Sequence, residues 1–150
     1  MTATNHAITA ANIALVTKSW WAVPIALVSH FILDALPHFG EPGIEDRHSK
    51  FKLVASFDLA LFIATFLLVI ATANQYVWLV LVSGFFAVLP DSVWFYRYYL
   101  EHKFGCLPAR NKLTHFHAKI QWGERPWGWI IEIVWFLLML VLYLGLVANL

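Results

Sequence analysis

The chain has 150 residues, of which 61% are hydrophobic and only 13% are charged, and it contains eight tryptophans. A soluble domain of this length is far more polar, so the composition indicates an integral membrane protein with one domain, residues 1–150. The net charge of +1 gives no reason to expect a nucleic-acid partner, and the single Cys106 excludes an internal disulfide and a multi-cysteine zinc site.

Apolar stretches of roughly 20 residues predict the elements in chain order. A short helix from about Thr4 to Val16 precedes helices at about Trp20 to His38, Leu53 to Ala73, Tyr76 to Leu100 and Trp127 to Leu150. Pro90 predicts a kink that frees a backbone carbonyl. The polar stretch from Glu101 to Pro126 is too charged to span. The sequence therefore predicts an all-α integral membrane bundle of about five helices: four long spans, a short N-terminal helix, and a polar interfacial segment between the last two.

The basic residues predict the orientation of this bundle. All but Lys18 fall on one side of the predicted topology: Arg47, Lys50, Lys52, Arg97, Lys103, Arg110, Lys112, Lys119 and Arg125. By the positive-inside rule that side is cytoplasmic, so we expect a bacterial inner (cytoplasmic) membrane protein with a cytoplasmic N-terminus and an external C-terminus. Nothing in the sequence predicts an oligomeric state.

The second predicted helix carries three potential metal ligands at four-residue intervals, His30, Asp34 and His38. Residues spaced by four lie on one helix face and drift by only about 40° per step, so all three can look in one direction. Ionisable groups at membrane depth are costly and indicate a functional site.

Other predicted helices place ionisable groups at the same depth, at about 1.5 Å of rise per residue. These groups are His6, Asp58, Asp91 and Glu132. The opposite half of the predicted bundle has no acidic residue and no histidine, and its few polar residues argue against a transport path. The sequence therefore predicts one polar pocket in the cytoplasmic half of the bilayer.

Mixed histidine and aspartate ligands suit zinc or another divalent first-row metal, and the number of candidates allows one ion or two. His30, Asp34, Asp58 and Asp91 are the first ligand candidates, followed by His6 and His38. Such a site activates water for hydrolysis. Asp91, Glu132 and Asp58 are the candidate catalytic residues, with Glu132 as a ligand, a general base or a residue that orients a ligand. A pocket at this depth would meet membrane lipids or a lipid-linked substrate.

The polar segment adds His115 and His117 as candidate metal ligands. In a helix the two point almost oppositely, whereas in an extended segment they share a face. If the segment is helical, at most one of them reaches the site. Its basic and aromatic residues also suit a stretch that lies against anionic lipid.

The motifs Ser29-His30-x-x-x-Asp34, Asn5-His6, Pro90-Asp91 and Thr114-His115 resemble those of the bacterial inner-membrane metal-dependent hydrolases. That family is similar in its motifs to the zinc-dependent phospholipase C proteins. The resemblance implies metal binding for the matched positions, which are His6, His30, Asp34, Asp91 and His115.

Two functions fit the sequence. The first is a membrane-embedded metal-dependent hydrolase, with zinc as the first choice of metal, that cleaves a lipid-linked phosphoester or ester through metal-activated water. The second is a non-catalytic membrane scaffold or metal-binding protein whose His/Asp cluster is structural, with Asp58 and Asp91 paired to Arg97 or Lys52.

Overall fold

The computed structural model describes residues 1–40, 48–105 and 112–150 and is all-helical apart from two residue pairs. Its elements are α1 (Ala3–Thr17), α2 (Ala22–Ala35), β1 (His38–Phe39), α3 (His48–Thr72), α4 (Val77–Val88), α5 (Ser92–Phe104), α6 (Lys112–Ile120), β2 (Glu124–Arg125) and α7 (Trp129–Val147). Short 3₁₀ turns at Asn74–Tyr76, Leu89–Asp91 and Gln121–Gly123 connect some of the helices. The predicted all-α fold is confirmed.

The N-terminal helix α1 forms the centre of the bundle, with contacts to α2, α3, α4 and α7. Its alanines make this possible, because small side chains let neighbouring helices approach closely. Ala10, Ala11 and Ala14 are almost fully buried. The buried polar residues of α1 therefore face other helices, and the sequence did not predict that its shortest apolar helix would be the central one.

Helices α3 and α7 have large apolar side chains on their exposed faces. Long rows of them are exposed on α3 and α7: Leu53, Phe57, Leu59, Ile63, Leu67, Ile133, Val134, Leu137, Leu138 and Val141. An exposed apolar surface of this extent is unusual for a soluble monomer and is typical of a surface that meets lipid. Within the described part of the chain, three helical stretches are long and apolar enough to cross a membrane: Lys52–Thr72, Asn74–Trp94 and Trp129–Val147.

Two prolines explain where the structure departs from the predicted helix bounds. Helix α2 ends at Ala35 and not at His38, because Pro37 requires an extended residue before it, and Leu36 has φ −76° and ψ 157°. The predicted helix from Tyr76 to Leu100 is divided around Pro90 into α4, a 3₁₀ turn and α5. Proline has no N–H to donate and clashes with the preceding turn, so the α-helical hydrogen bonding stops there.

A short parallel pairing of β1 with β2 joins the end of α2 to the chain that follows α6, with His38 opposite Glu124 and Phe39 opposite Arg125. Two glycines allow this close approach. A Cβ on Gly123 would lie 2.5 Å from the Leu36 carbonyl oxygen, and one on Gly128 would overlap the His38 carbonyl group. This junction fixes α6 against α2.

Some residues used to predict the orientation lie outside the description. Arg47 and Arg110 fall in the ranges 41–47 and 106–111, which the structure does not describe; Cys106, which played no part in that prediction, lies there too. The side chains of Lys50 and Arg97 are also outside the described part, so the predicted ion pair with Arg97 is not tested. Lys52 is exposed.

Candidate metal centre

Helix α2 supplies the first two side chains of the site, His30 and Asp34, which are both fully buried. Their four-residue spacing puts His30 Nε2 3.3 Å from Asp34 Oδ2. The other ring nitrogen of His30, Nδ1, lies 2.7 Å from the Ala87 carbonyl oxygen. Ala87 belongs to the last turn of α4, where carbonyls lack intrahelical partners. The carbonyl that orients His30 thus comes from the helix end next to Pro90, where the sequence predicted a kink and a free backbone carbonyl.

Helix α6 supplies the third side chain, His117. The helical spacing buries Thr114 and His117 and leaves His115 exposed, so only His117 reaches the site. His117 Nε2 lies 2.9 Å from Asp34 Oδ2 and 3.1 Å from His30 Nε2. The sequence left open whether this segment is helical or extended. It is helical, so at most one of His115 and His117 can reach the site, and that residue is His117.

Asp91, in the 3₁₀ turn after α4, completes the group. Its Oδ1 lies 3.8 Å from His30 Nε2 and 3.6 Å from His117 Nε2. These distances are too long for hydrogen bonds. They are suitable separations for atoms that bind one ion. Asp91 is also the most accessible of the four residues, with 14% of its side chain exposed against 0–2% for the others.

The four ligand atoms, one each from His30, Asp34, Asp91 and His117, all lie within 4.8 Å of one another, and we call them the four-ligand centre. Five of the six separations range from 2.9 to 3.8 Å. A tetrahedral zinc ion with bonds of about 2.0–2.1 Å holds its ligands about 3.3 Å apart. The group could therefore hold a metal ion with small adjustments.

The hydrogen bonding around His30 also favours a cation. The Ala87 carbonyl can only accept, so His30 Nδ1 carries the hydrogen, and a neutral ring then presents a bare lone pair at Nε2. That nitrogen lies 3.3 Å from Asp34 Oδ2 and 3.1 Å from His117 Nε2, so these electron-pair donors need a proton or a cation between them. A positive ion between them would turn this repulsion into attraction, and the carbonyl partner is typical of metal-binding histidines.

Asp34 has further partners around its two oxygens. Its Oδ1 lies 3.1 Å from His6 Nε2 and 2.6 Å from the Met1 amino nitrogen. Its Oδ2 accepts a hydrogen bond of 3.3 Å from Gln121 Nε2. The sequence reasoning missed Gln121, although it follows His117 by four residues and so shares its helix face.

Aromatic rings surround the centre on the side of α6. Phe31 packs edge-on against both His30 and His117, with ring centroids 5.1 and 6.0 Å apart. The Trp94 ring lies against His117 at 5.5 Å. These rings keep water from His30 and His117, so solvent reaches the centre on the side of Asp91. An apolar wall of this kind strengthens electrostatic interactions inside the site.

Asp58 of α3, a predicted ligand and catalytic residue, contacts the first turn of α1 and is not part of the four-ligand centre. Its carboxylate accepts hydrogen bonds from the backbone N–H groups of Ala3 and Thr4, at 2.9 and 3.2 Å, and from the Thr4 hydroxyl at 2.6 Å. The first turn of a helix has unpaired N–H groups and a positive dipole end, which a carboxylate stabilises. Asp58 thus caps α1 and holds the turn that leads to His6.

Glu132 and His38, also predicted for the site, form hydrogen bonds at the β1 junction and are not part of the four-ligand centre. Glu132 Oε1 accepts a hydrogen bond of 3.1 Å from the Phe39 backbone N–H. His38 Nδ1 donates to the Leu36 carbonyl at 2.8 Å, and its Nε2 lies 4.0 Å from Glu124 Oε1. Burial lowers the pKa of His38 to about 4, so the ring is neutral near pH 7.

Comparisons of the chain with protein-family models, with curated proteins and with solved structures give no significant match. The resemblance to membrane metal-dependent hydrolases therefore stays a prediction from short motifs. Of the five residues that carry this resemblance, four lie together in the structure: His6, His30, Asp34 and Asp91. The fifth, His115, is exposed on α6.

Proposed function

We propose that the protein is a membrane-embedded metal-dependent hydrolase, with zinc as the first choice of metal, that cleaves a lipid-linked phosphoester or ester. The observation that carries this proposal is the convergence of four ligand atoms from His30, Asp34, Asp91 and His117 at near-tetrahedral spacing. Their two carboxylates would balance the charge of one divalent ion. That balance favours binding in apolar surroundings, where an unpaired charge is very costly.

The surroundings of the centre support a membrane setting. The outward apolar faces of α3 and α7 suit acyl chains, and the bundle as a whole suits the predicted arrangement of five helices in a bacterial inner membrane. Lys112 and Lys119 lie on α6 together with His117. The positive-inside rule then puts the centre on the cytoplasmic side, with the N-terminus cytoplasmic and the C-terminus external. Membrane lipids would be its neighbours and the source of its substrate.

Different residues of the protein would hold the metal ligands in place and accept the proton during hydrolysis. When bound, the metal would polarise a phosphoryl or carbonyl oxygen and lower the pKa of a coordinated water to about 7. Ala87 and Gln121 hold the His30 ring and the Asp34 carboxylate in place. Asp91 borders the accessible side and would accept a proton from water. The water oxygen bonds to phosphorus or carbon, the bond to the leaving alcohol breaks, and that alcohol departs with the proton.

Metal content tests the first half of the proposal. We expect detergent-purified protein supplied with zinc to retain at least one zinc ion per chain. His117→Gln removes one ligand and should release the ion from the four-ligand centre, whereas His115→Gln, on the exposed face of the same helix, should retain it. A folded wild type that stays zinc-free would refute the metal centre.

Substrate turnover tests the second half. A panel of phospholipids, isoprenoid phosphates and carboxylic esters, presented in vesicles, should yield product with the zinc-loaded wild type. Asp91→Asn keeps the side-chain shape but removes a charged ligand and proton acceptor, so turnover should fall by at least about 100-fold. Undiminished turnover in a folded Asp91→Asn variant would exclude this residue from the mechanism.

One observation favours the second candidate, a scaffold with a structural cluster. Asp34 already has contacts from Met1, His6, His117 and Gln121, so its carboxylate is satisfied by the protein alone. In a scaffold, a protonated His30 would donate to Asp34 and replace the ion. That function predicts a zinc-free wild type whose thermal stability does not change when zinc is added.

A further inference from the structure

The nine-residue helix α6 faces the protein with polar side chains. Its buried residues are Thr114 and His117, and Gln121, in the turn that follows, donates to Asp34. Positions 114, 117 and 121 are three and four residues apart, so they form one face that lies against the four-ligand centre. This inner face buries mainly polar groups. Apolar packing against the protein therefore contributes little to the stability of α6.

The apolar side chains of α6 lie on its outer face instead. Leu113 and Phe116 are 56% and 52% exposed, and the chain that follows adds the exposed Trp122 and Trp127. The main contacts of α6 with other elements are with α2 and with the 3₁₀ turn after it. A helix of this length is marginal in water when nothing covers its apolar side. The outer face of α6 therefore needs an apolar covering that the described part of the chain does not supply.

Charge and depth indicate what that covering is. Between residues 112 and 130, the exposed charged side chains are all basic, namely Lys112, Lys119 and Arg125. The segment leads directly into the apolar stretch Trp129–Val147, so it lies where a membrane-spanning helix leaves the bilayer. Apolar and aromatic side chains mixed with lysine and arginine suit the headgroup region of an anionic bilayer.

We propose that the outer face of α6 docks on anionic headgroups of the bilayer that holds the protein, and that this docking positions His117 and Gln121, so that anionic lipid raises the affinity of the four-ligand centre for its metal ion. The proposal rests on the metal centre of the proposed function and adds a regulator to it. The two faces belong to one short helix, so an interaction that orders the outer face also orders the inner one.

The coupling between lipid and metal is reciprocal. His117 Nε2 lies 2.9 Å from Asp34 Oδ2, and Gln121 Nε2 lies 3.3 Å from the same oxygen. A metal ion that binds His117 would hold α6 in the position that docks on the lipid, and linkage requires the two effects to be equal. Each lysine near an anionic surface strengthens the attraction about 5-fold, and salt screens this contribution. The effect of anionic lipid should therefore shrink in high salt.

Zinc affinity in two bilayers is the first test. Wild-type protein is placed in nanodiscs of phosphatidylcholine, or of phosphatidylcholine mixed with phosphatidylglycerol, and zinc binding is titrated. We expect an affinity at least about 5-fold higher in the anionic discs, a typical coupling between two sites. The wild type suffices for this comparison, so no variant that could fail to fold is needed. Equal affinity in both discs would refute the coupling.

Two paired variants separate α6 docking from the attraction of Zn²⁺ to an anionic surface. Lys112→Gln with Lys119→Gln removes two exposed charges from α6 and should abolish most of the increase that depends on docking. Lys18→Gln with Lys52→Gln removes two exposed charges elsewhere and is the matched control. The control should retain the increase of the wild type. An equal loss in both pairs would refute a specific role of α6.

Hydrogen exchange tests the docking without any metal. In zinc-free protein, the amides of residues 112–120 should exchange at least about 5-fold more slowly in anionic discs than in phosphatidylcholine discs. The amides of α7 should exchange alike in both. Leu113→Ser removes an exposed apolar side chain and should speed the exchange of α6 in both lipids. Exchange of α6 that is equal in both discs would refute the docking surface.

The outcomes separate this proposal from the hydrolase function. Slower exchange of α6 in anionic discs, from a protein that binds no zinc in either, would refute the metal centre and leave the docking surface. Zinc binding that is equal in both discs, with turnover that depends on Asp91, would refute the lipid coupling and leave the hydrolase intact.

Discussion

The two ends of the bundle are built on opposite principles. At one end, which we call the apolar end, the buried core consists of Ala11, Ala14, Leu15, Ala22, Val69, Ala73, Leu79, Val80 and Tyr143. At the other, the cluster end, the buried side chains include His6, His30, Asp34 and His117, together with the partly buried Asp91. Helix α1 passes through both ends, so the difference lies in the residue types and not in the secondary structure.

Packing alone would have favoured apolar residues at both ends. At the apolar end the helices pack mainly through apolar side chains, with few hydrogen bonds such as those of the Tyr143 hydroxyl and the Asn12 amide. Replacing a buried charged network by apolar residues is often neutral or stabilising. The charged groups at the cluster end therefore lower stability relative to apolar packing. This contrast is the physical argument that the cluster binds a ligand.

The largest expected effect comes from Asp34→Asn, which removes the charge that the cluster shares. Asp34 contacts His6, His30, His117 and Gln121, so a neutral amide weakens every one of these interactions. We expect zinc affinity to fall by at least about 100-fold, because a charged ligand is lost.

Equilibrium zinc binding in detergent measures this effect, and Thr72→Val at the apolar end is the matched control. That variant also removes one partly buried polar group but should bind zinc as the wild type does. Equal zinc loss in both variants would show that the effect is general destabilisation.

The next effect compares two histidines on one helix. His117→Ala removes a ligand of the four-ligand centre, so zinc affinity should fall by more than the roughly 10- to 100-fold that loss of a ligand-orienting residue costs. His115→Ala, on the exposed face of α6, should leave it unchanged. The same zinc titration checks both. If His115 proved to be the sensitive residue, α6 would be rotated relative to the structure described here.

Sequence spacing predicted part of the four-ligand centre, because residues four apart in a helix lie on the same face. His30 and Asp34 share a face at an interval of four, and equal depth along neighbouring helices indicated His6 and Asp91. Depth does not define direction around a helix axis, however, so it also selected Asp58, which caps α1. Similarly, His117 was separable from His115 only once the segment was known to be helical.

Other features were beyond pattern reasoning because they depend on long-range packing. The central position of α1 follows from alanine contacts with four other helices, which no local periodicity reveals. His38 was expected on the face of His30 and Asp34, but Pro37 ends the helix first and places His38 in β1. Proline marked the end of the helix in the sequence, but the pairing of β1 with β2 needed the folded chain.

A smaller effect concerns the acid stability of the cluster end. His38 has a pKa of about 4 when folded and about 6.5 when unfolded, because burial penalises its charged form. Between these values the unfolded chain binds more protons, so stability is lost as pH falls from about 6.5 to 4. His38→Asn keeps a donor for the Leu36 carbonyl but does not titrate.

Thermal unfolding of both proteins from pH 7.5 to 4.5 measures this contribution. The unfolding temperature of the wild type should fall more steeply below pH 6.5 than that of His38→Asn. Parallel curves would show that His38 is not buried as a neutral ring.

The smallest expected effect comes from Tyr143→Phe at the apolar end. The Thr72 hydroxyl donates to the Leu68 carbonyl at 2.7 Å, so the Tyr143 hydroxyl, 2.8 Å away, must donate to Thr72. Removing it leaves no buried donor unpaired, and the ring remains in place. The loss should therefore be about 0.5–1.5 kcal/mol, the net value of one hydrogen bond, as measured by chemical unfolding in detergent. Zinc binding should not change, and a change would mean that the two ends are coupled through α1 rather than built independently.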